Sequence, residues 1–304
     1  SLCICCCVTH LYAIALIAVR QVYAAAYFIV CLVAQLTYSV FMAVNVLSFL
    51  YMDFSKLNSY FDHIYLITLH RAAERHKKIE EVLQGLNYTF FYGADNKNFT
   101  VAELEQKGLY SEVKAMQMHR YHKAMSPGML GCSLSHRMVY EHIIQYQFKK
   151  VLILEDDVLP LQQGIELFAT IINELPPSWG LLYFDYHKNI ESSLATRVKQ
   201  WVYHIQKSIK GMAWSHTTIS NLYAKKYSNH LKLAGYHDFT SAYCITHQCA
   251  ATLLQIQTPV MFHPDNLLAH ACTNKLIEGY ITIPKLFEQE SQFKKETVKS
   301  YVEE

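Results

Sequence analysis

The stretch that most constrains the fold is "VLILEDDV", residues 151–158, in which an aliphatic run stops at three adjacent carboxylates. Four consecutive apolar residues predict a buried strand, because a strand with one face in water alternates apolar and polar side chains. A strand of this kind needs a sheet that helices cover on both faces. The chain has 304 residues, enough for an α/β domain with a substantial core.

Strand patterns and helix patterns alternate along the polar part of the chain. The further strands are predicted at "HIYLITL" (63–69), "YTFFYGAD" (88–95), "GLLYFDY" (180–186) and "SAYCIT" (241–246). Helices are predicted over about 133–147 and 247–257, and Thr100 with Glu103 predicts a capping box for a short helix that Gly108 closes. The alternation favours an α/β fold with a mostly parallel sheet and helices on both faces.

The N-terminal segment is almost free of charge. Of the 27 basic and 25 acidic side chains, only Arg20 precedes Asp53. A helix needs about 20 apolar residues to cross a bilayer, so residues 1–52 are predicted to be a hydrophobic membrane segment of one or two helices. A signal sequence, a non-native leader and a buried core helix stay open as alternatives.

The remaining domain boundaries follow from the composition. Residues 53–62 are predicted to be a linker, 63–290 the α/β domain and 291–304 a charged C-terminal tail. Basic side chains soon after residue 52 favour a membrane location with the domain on the cytoplasmic side.

The carboxylates after the central strand point to a ligand site. In open α/β sheets, ligands bind at the carboxyl ends of strands, and in extended backbone Glu155 and Asp157 face the same side. Paired carboxylate oxygens suit Mn²⁺ or Mg²⁺, which keeps its other positions for water and phosphate. An acidic turn in solvent that caps the next helix is the alternative interpretation.

Three blocks of sequence then carry a family resemblance. They are "IYLITLHRAAER", "MLGCSLSH" followed by "VLILEDDV", and "TSAYCITHQCAATLLQIQTPVMFHPDNLL" with "IPKLFEQ" after it. Over roughly residues 63–290 the chain resembles glycosyltransferase family 25, which includes lipooligosaccharide sugar transferases and collagen galactosyltransferases. The clearest departure is Ser241, where the family often has glycine. The resemblance implies a GT-A-like fold, a nucleotide-sugar donor, usually a divalent metal, and inversion at the anomeric carbon.

The resemblance also implies roles for single residues. Glu155 and Asp157 match the metal-binding positions, while Arg71, Arg75 and Asp156 match positions that contact the donor. For the two arginines, a helix start in solvent is the alternative.

Three more residues match the family's other blocks. Ser135 and His136 match a block that supports the site. Asp265 matches the acidic residue of the late block and could be the catalytic base, with acceptor binding or metal support as the alternatives. Residues 187–238 align with nothing and are predicted to contain the determinants of acceptor choice.

These features together predict a metal-dependent, inverting glycosyltransferase. It would transfer a hexose such as galactose from a donor, expected to be UDP-linked, to a saccharide or glycolipid acceptor such as lipooligosaccharide, at a membrane. Two rivals remain: a metal-dependent phosphodiester or glycoside hydrolase, and a non-catalytic membrane-anchored sugar-binding domain. A net charge of +2 without a basic stripe gives no reason to expect nucleic acid as a partner.

Overall fold

The computed structural model describes residues 27–39 and 52–290. The chain divides into two compact units, Ser1–Tyr51 and Met52–Glu304. In the first unit, residues 27–39 form a helix. The rest of the predicted membrane segment and the predicted tail after residue 290 lie outside the described residues.

The second unit holds the strands and most of the described helices. The strands are β1 (His63–Thr68), β2 (Thr89–Tyr92), β3 (Lys150–Glu155), β4 (Val158–Pro160), β5 (Leu181–Tyr183), β6 (Lys225–Lys226), β7 (Leu231–Leu233), β8 (Ala242–Thr246), β9 (Gly279–Thr282) and β10 (Phe287–Gln289). The helices are α1 (Ser55–Tyr60), α2 (Ala73–Val82), α3 (Val101–Gln106), α4 (Glu112–Met118), α5 (Pro127–Gln145), α6 (Gln162–Asn173), α7 (Leu194–Ser208), α8 (His216–Ser220), α9 (His247–Ile256) and α10 (Pro264–Thr273).

Eight strands form one sheet in the order β2-β1-β3-β8-β5-β9-β7-β6, and β10 pairs with β4 in a second, two-stranded sheet. The prediction of a mostly parallel sheet is wrong. Strands β1, β2, β3, β5 and β9 run in one direction, but β8 lies antiparallel between β3 and β5, and β7 is antiparallel to both of its neighbours. The physical reason for the error is that a strand buried on both faces has the same apolar pattern in either direction, and β8 fills the position between β3 and β5 in the opposite direction to both. The result is a mixed α/β fold with a large sheet, consistent with a GT-A-like fold.

Helices cover both faces of the large sheet, as predicted. On one face, α5, α9 and α10 pack their apolar side chains against the sheet, and on the other face α1, α2 and α6 do so. The four aliphatic residues 151–154 of β3 are completely buried, which confirms the interpretation of that run as a buried strand. Burial of this kind on both faces holds the end of β3 in a fixed position.

Helix α5 begins earlier than the sequence pattern indicates. The sequence pattern predicts a helix from about residue 133, but Pro127 occupies the first helical turn and the Ser126 side chain accepts a hydrogen bond from the Met129 amide. Proline is tolerated there because the first helical N–H groups have no partner within the helix. Position 131 within this helix is occupied by glycine, because a Cβ atom there would be 2.8 Å from the Ala94 carbonyl oxygen.

The predicted capping box is confirmed. The Thr100 side chain accepts from the Glu103 amide, and the Glu103 side chain accepts from the Thr100 amide, at the start of α3. Gly108 follows the helix with a φ of +67°, a left-handed conformation that glycine adopts without steric cost.

Residues 53–62, predicted to be a linker, form part of the domain. They contain α1, and Phe54, Leu57 and Phe61 are buried in the core on the side of α2 and α6. Apolar spacing of three and four residues places these side chains on one face of a short helix.

The prediction of a transmembrane segment is corrected by the structure. Within residues 27–39 and 52–290, no helix is both long enough and apolar enough to span a membrane. The expected membrane location and cytoplasmic orientation therefore have no support in this structure.

Candidate functional site

A cleft of about 700 Å³ lies at the edge of the large sheet where the parallel strands β1 and β3 end. Thr68 is the last residue of β1 and Glu155 the last of β3, and both line the cleft. Since β8 is antiparallel to β3, it begins at this same edge: the Glu155 amide donates to the Ser241 carbonyl at 2.8 Å. We call this the carboxylate cleft. Three consecutive acidic residues, Glu155 to Asp157, line it.

Glu155 contacts a histidine ring and a threonine hydroxyl from other parts of the chain. Its Oε1 atom lies 3.2 Å from Nε2 of His136 and accepts a hydrogen bond from the Thr240 hydroxyl at 3.0 Å. The other ring nitrogen of His136 lies 2.7 Å from the hydroxyl of Tyr243, which fixes the ring. Burial works to raise the pKa of Glu155, but the hydrogen bonds with His136 and Thr240 outweigh it, and the pKa lies below its ordinary value.

Thr240 connects Glu155 to the predicted base. Its hydroxyl oxygen lies 3.0 Å from Oε1 of Glu155 and 2.9 Å from Oδ1 of Asp265, which is in the first turn of α10. A hydroxyl has one proton to donate, so the two carboxylates compete for it. Thr240 is 2% exposed, and the sequence pattern gave no signal for it. The structure thus brings Asp265 close to Glu155, the candidate metal ligand, so that both carboxylates can belong to one site.

Asp156 has both oxygens engaged by the protein. Oδ1 accepts from the Arg75 guanidinium and Oδ2 accepts from the Thr68 hydroxyl, each at 2.6 Å. Arg75 also lines the carboxylate cleft, so its positive charge lies beside the acidic residues. The structure therefore places Asp156 as the partner that positions Arg75. A direct contact of either residue with a donor stays a prediction.

Asp157 is the least satisfied of the three carboxylates. Its Oδ2 atom accepts from the Gln289 amide at 3.0 Å, while Oδ1 is buried and has no hydrogen-bond partner. Burial raises the pKa of Asp157 to about 7, and the negative charge of Glu155 adds to the effect. A buried carboxylate oxygen without a donor is costly in this state and would be stabilised by a cation.

Two predicted site residues take supporting or more distant positions. The Ser135 hydroxyl donates to the Gly131 carbonyl and accepts from the Ala94 amide, so it ties α5 to the turn after β2. Arg71 is in the turn before α2, where it pairs with Asp95 at 2.8 Å, and it is not among the residues that line the carboxylate cleft. The structure therefore brings Arg75, but not Arg71, to the cleft.

Residues that could hold a metal ion converge in this cleft. Glu155 and Asp157 offer carboxylate oxygens, as predicted. A second combination was not predicted: one ligand atom each from Cys132, His136 and Glu155 lie within 4.8 Å of one another. Cys132 and His136 are four residues apart on α5 and so share a helix face, a spacing visible in the sequence. Burial, with Glu155, Asp265 and Asp157 nearby, raises the pKa of the Cys132 thiol well above its usual value, which keeps the thiol protonated when no cation is bound.

Comparison with known proteins identifies relatives over most of the described domain. The sequence model of "Glycosyltransferase family 25 (LPS biosynthesis protein)" matches residues 61–268. A glycosyltransferase 25 family member from Drosophila pseudoobscura pseudoobscura is 34% identical over 99 residues, which are 32% of this chain and 16% of that protein. A family member from Aedes aegypti is 26% identical over 244 residues, 74% of this chain and 35% of that protein.

Human procollagen galactosyltransferase 2 is 30% identical over 129 residues, 40% of this chain and 20% of that protein. The chain thus spans about a third or less of the length of these relatives. Among solved structures, mouse xyloside xylosyltransferase 1 in its apo form covers 71% of this chain and 62% of its own, at 14% identity. Its TM-score of 0.30 is too low for an argument about the fold.

Proposed function

The chain belongs to glycosyltransferase family 25, and from this premise we propose that it transfers a hexose from a nucleotide-diphosphate sugar to a saccharide acceptor, with inversion at the anomeric carbon. The name of the human relative supports galactose as the sugar, and the family's description as an LPS biosynthesis protein supports a saccharide acceptor. A UDP-linked donor is the form that we propose to test first.

One observation carries the proposal: the buried Oδ1 atom of Asp157, which has no hydrogen-bond partner, at the end of the strand where the family resemblance expects a metal ligand. Glu155 and Asp157 would hold Mn²⁺ or Mg²⁺, since both ions favour carboxylate oxygens. When bound, the ion supplies positive charge that stabilises the departing diphosphate. The raised pKa of Asp157 fits the same assignment, because burial and the nearby charge of Glu155 both disfavour the ionised carboxylate, and a bound cation would offset both.

Arg75 adds a fixed positive charge to the donor side of the cleft. The Arg75 guanidinium and the Thr68 hydroxyl each donate a hydrogen bond of 2.6 Å to Asp156, which holds the guanidinium in place. An arginine that is positioned before the ligand arrives loses little side-chain entropy when it binds a phosphate. We propose that Arg75 contacts the diphosphate while Asp156 positions it.

Asp265 is proposed as the base that removes the proton of the acceptor hydroxyl. The Thr240 hydroxyl links the Asp265 carboxylate to Glu155. The acceptor would therefore bind on the Asp265 side of this hydroxyl and the donor on the Glu155 side. An inverting transfer needs such a base on the side opposite the leaving group. The Nδ1 atom of His263 lies 3.9 Å from Oδ1 of Asp265.

The test is a transfer assay with UDP-galactose, Mn²⁺ and a panel of saccharide acceptors, followed by mass spectrometry of the products. We expect a glycosylated acceptor with the wild type and at least a hundredfold less, roughly, with Asp265→Asn. Glu166→Gln, at an exposed carboxylate on α6, serves as the matched control and should retain activity. Failure to form any glycosylated acceptor across UDP-galactose, UDP-glucose and their N-acetyl forms would refute the proposal.

A metal-dependent hydrolase would use the same carboxylates differently. It would release free sugar from the donor at a rate that does not depend on the acceptor. The same assay therefore separates the two functions. For a transferase, we expect donor consumption to rise with acceptor concentration, and we expect the sugar to appear on the acceptor rather than as free hexose.

A further inference from the structure

A second cleft, of about 990 Å³, has a lining that shares no residue with the carboxylate cleft. Its walls include Arg120, Lys199, Tyr203, Trp214 and Tyr236, and we call it the aromatic cleft. Most of these residues come from the stretch 187–238, which aligns with none of the family's blocks and is predicted to contain the determinants of acceptor choice. The aromatic side chains also pack on a small satellite core, so their inner faces are structural and their outer parts line the cleft.

The aromatic cleft borders the segment that carries the proposed base. His263 and Asn266 line the aromatic cleft, and Asp265 lies between them in sequence, at the start of α10. On its other side Asp265 is linked through Thr240 to Glu155, which lines the carboxylate cleft. The aromatic cleft is therefore lined by residues on both sides of Asp265 in sequence, while the Asp265 carboxylate connects through Thr240 to the donor side.

The aromatic side chains in this cleft surround a cation. The guanidinium carbon of Arg120 lies 4.2 Å from the ring centre of Trp214, 4.4 Å from that of Tyr203 and 4.7 Å from that of Tyr121. Its Nε atom is buried and has no hydrogen-bond partner. Arginine stays charged in such a setting, and an unpaired buried donor favours an incoming acceptor atom.

The charge of the lining is positive. Its charged members are Arg120, Lys188, Lys199 and Asp238, and Lys188 forms an ion pair with Asp238, which leaves Arg120 and Lys199 uncompensated within the lining. Tyr203 responds to this potential: burial works to raise its pKa, yet hydrogen bonds with Arg120 and Lys199 outweigh it, and the pKa is lowered. Arg120 and Lys199 thus both act on the same side chain of the cleft, that of Tyr203.

We propose that the aromatic cleft binds the acceptor saccharide, with an anionic group of the acceptor, a carboxylate or a phosphate, at Arg120 and Lys199. This rests on the proposed function, because only a transferase needs an acceptor next to Asp265. Aromatic faces suit sugar rings, and the two cations would select an acidic sugar over a neutral one. A cationic acceptor would be repelled by the same two side chains.

The test compares small sugars that differ in charge. Binding of methyl β-glucuronide, glucose 6-phosphate, methyl β-glucoside and glucosamine is measured by NMR titration of the full chain, with and without UDP and Mn²⁺. We expect at least one anionic sugar to bind about tenfold more tightly than methyl β-glucoside, and glucosamine to bind most weakly. Which anion binds better identifies the carboxylate or the phosphate as the recognised group.

Substitutions test whether Arg120 and Lys199 produce the preference for the anionic sugar. Arg120→Gln and Lys199→Gln should each remove most of the preference for the anionic sugar, and Lys199 is exposed, so its substitution leaves the fold intact. Arg197→Gln is the matched control, because Arg197 is on the same helix, exposed, and outside the lining of the cleft. Its sugar preference should equal that of the wild type.

The inference is overturned if methyl β-glucoside binds as tightly as both anionic sugars, if none of the four sugars binds, or if Arg197→Gln lowers the preference as much as Lys199→Gln. Binding of UDP-galactose with Mn²⁺ is measured on the same samples. If the wild type does not bind UDP-galactose, the proposed function is refuted. If it binds UDP-galactose but shows no preference for anionic sugars, only the present inference is refuted.

Discussion

Replacing Asp157 by asparagine should stabilise the metal-free protein above neutral pH. Folding raises the pKa of this carboxyl from 3.8 to about 7. Its folded pKa exceeds its unfolded pKa, so the protein loses stability as pH rises from about 4 to about 7, by about 1.4 kcal/mol per pH unit. Asp157 is 9% exposed, so solvent screens the effect little. Between pH 5 and pH 8 the cost grows by about 3 kcal/mol, and Asp157→Asn removes it.

The assay is urea unfolding of wild type and variant at both pH values, with EDTA present. Asparagine keeps the shape and one oxygen for the amide of Gln289. The free energy of unfolding of the variant minus that of the wild type should be about 3 kcal/mol more positive at pH 8 than at pH 5, because the variant is then the more stable protein. Glu166→Gln should give no such difference. A variant whose relative stability is the same at both pH values would contradict the assignment of Asp157 as a buried, uncompensated carboxylate.

Three further substitutions test the packing around the cleft. Arg75→Gln leaves buried Asp156 without its ion pair and should lower the free energy of unfolding by about 3 kcal/mol; an unchanged urea midpoint would contradict this. Thr240→Val should cost about 2 kcal/mol at pH 7 and less in acid, once the pH falls below the lowered pKa of Glu155; equal costs at neutral and acid pH would count against the bridge. Gly164→Ala places a Cβ atom 2.0 Å from the Lys285 carbonyl oxygen and should lower the melting temperature strongly, whereas an unaltered melting curve would refute this packing.

The local pattern of the sequence was enough to predict the strand that carries the acidic residues. Burial of residues 151–154 on both faces follows from four aliphatic side chains in a row, and the position of Glu155 at the strand's end follows from the change to carboxylates. The capping box at Thr100 is equally local. In each case the residues that decide the structure are within a few positions of one another.

The direction of β8 depends on distant residues and could not be predicted in this way. "SAYCIT" has the same apolar pattern whether the strand runs parallel or antiparallel to β3, and only the filling of the gap between β3 and β5 decides it. The consequence reaches the site. Because β8 starts at the cleft, Thr240 contacts carboxylates 85 and 25 residues away in sequence, and no local pattern relates these three residues.

The positions of Arg71 and Cys132 illustrate the same limit. The two arginines after β1 look equivalent in sequence, but the turn before α2 directs Arg71 to Asp95 and Arg75 to Asp156. Cys132 seemed one of several scattered cysteines, and it becomes a possible ligand only because α5 packs beside the end of β3. Helix spacing relates Cys132 to His136, but the contact with Glu155 requires the tertiary fold.

The central claim is that the carboxylates at the end of β3 hold the divalent ion that binds the donor's diphosphate. Calorimetric titration of UDP-galactose, with and without Mn²⁺, tests it on wild type, Asp157→Ala and Glu166→Gln. The account predicts Mn²⁺-dependent binding to wild type and Glu166→Gln, and affinity reduced by more than about tenfold in Asp157→Ala. Equal Mn²⁺-dependent affinity in all three proteins would contradict it.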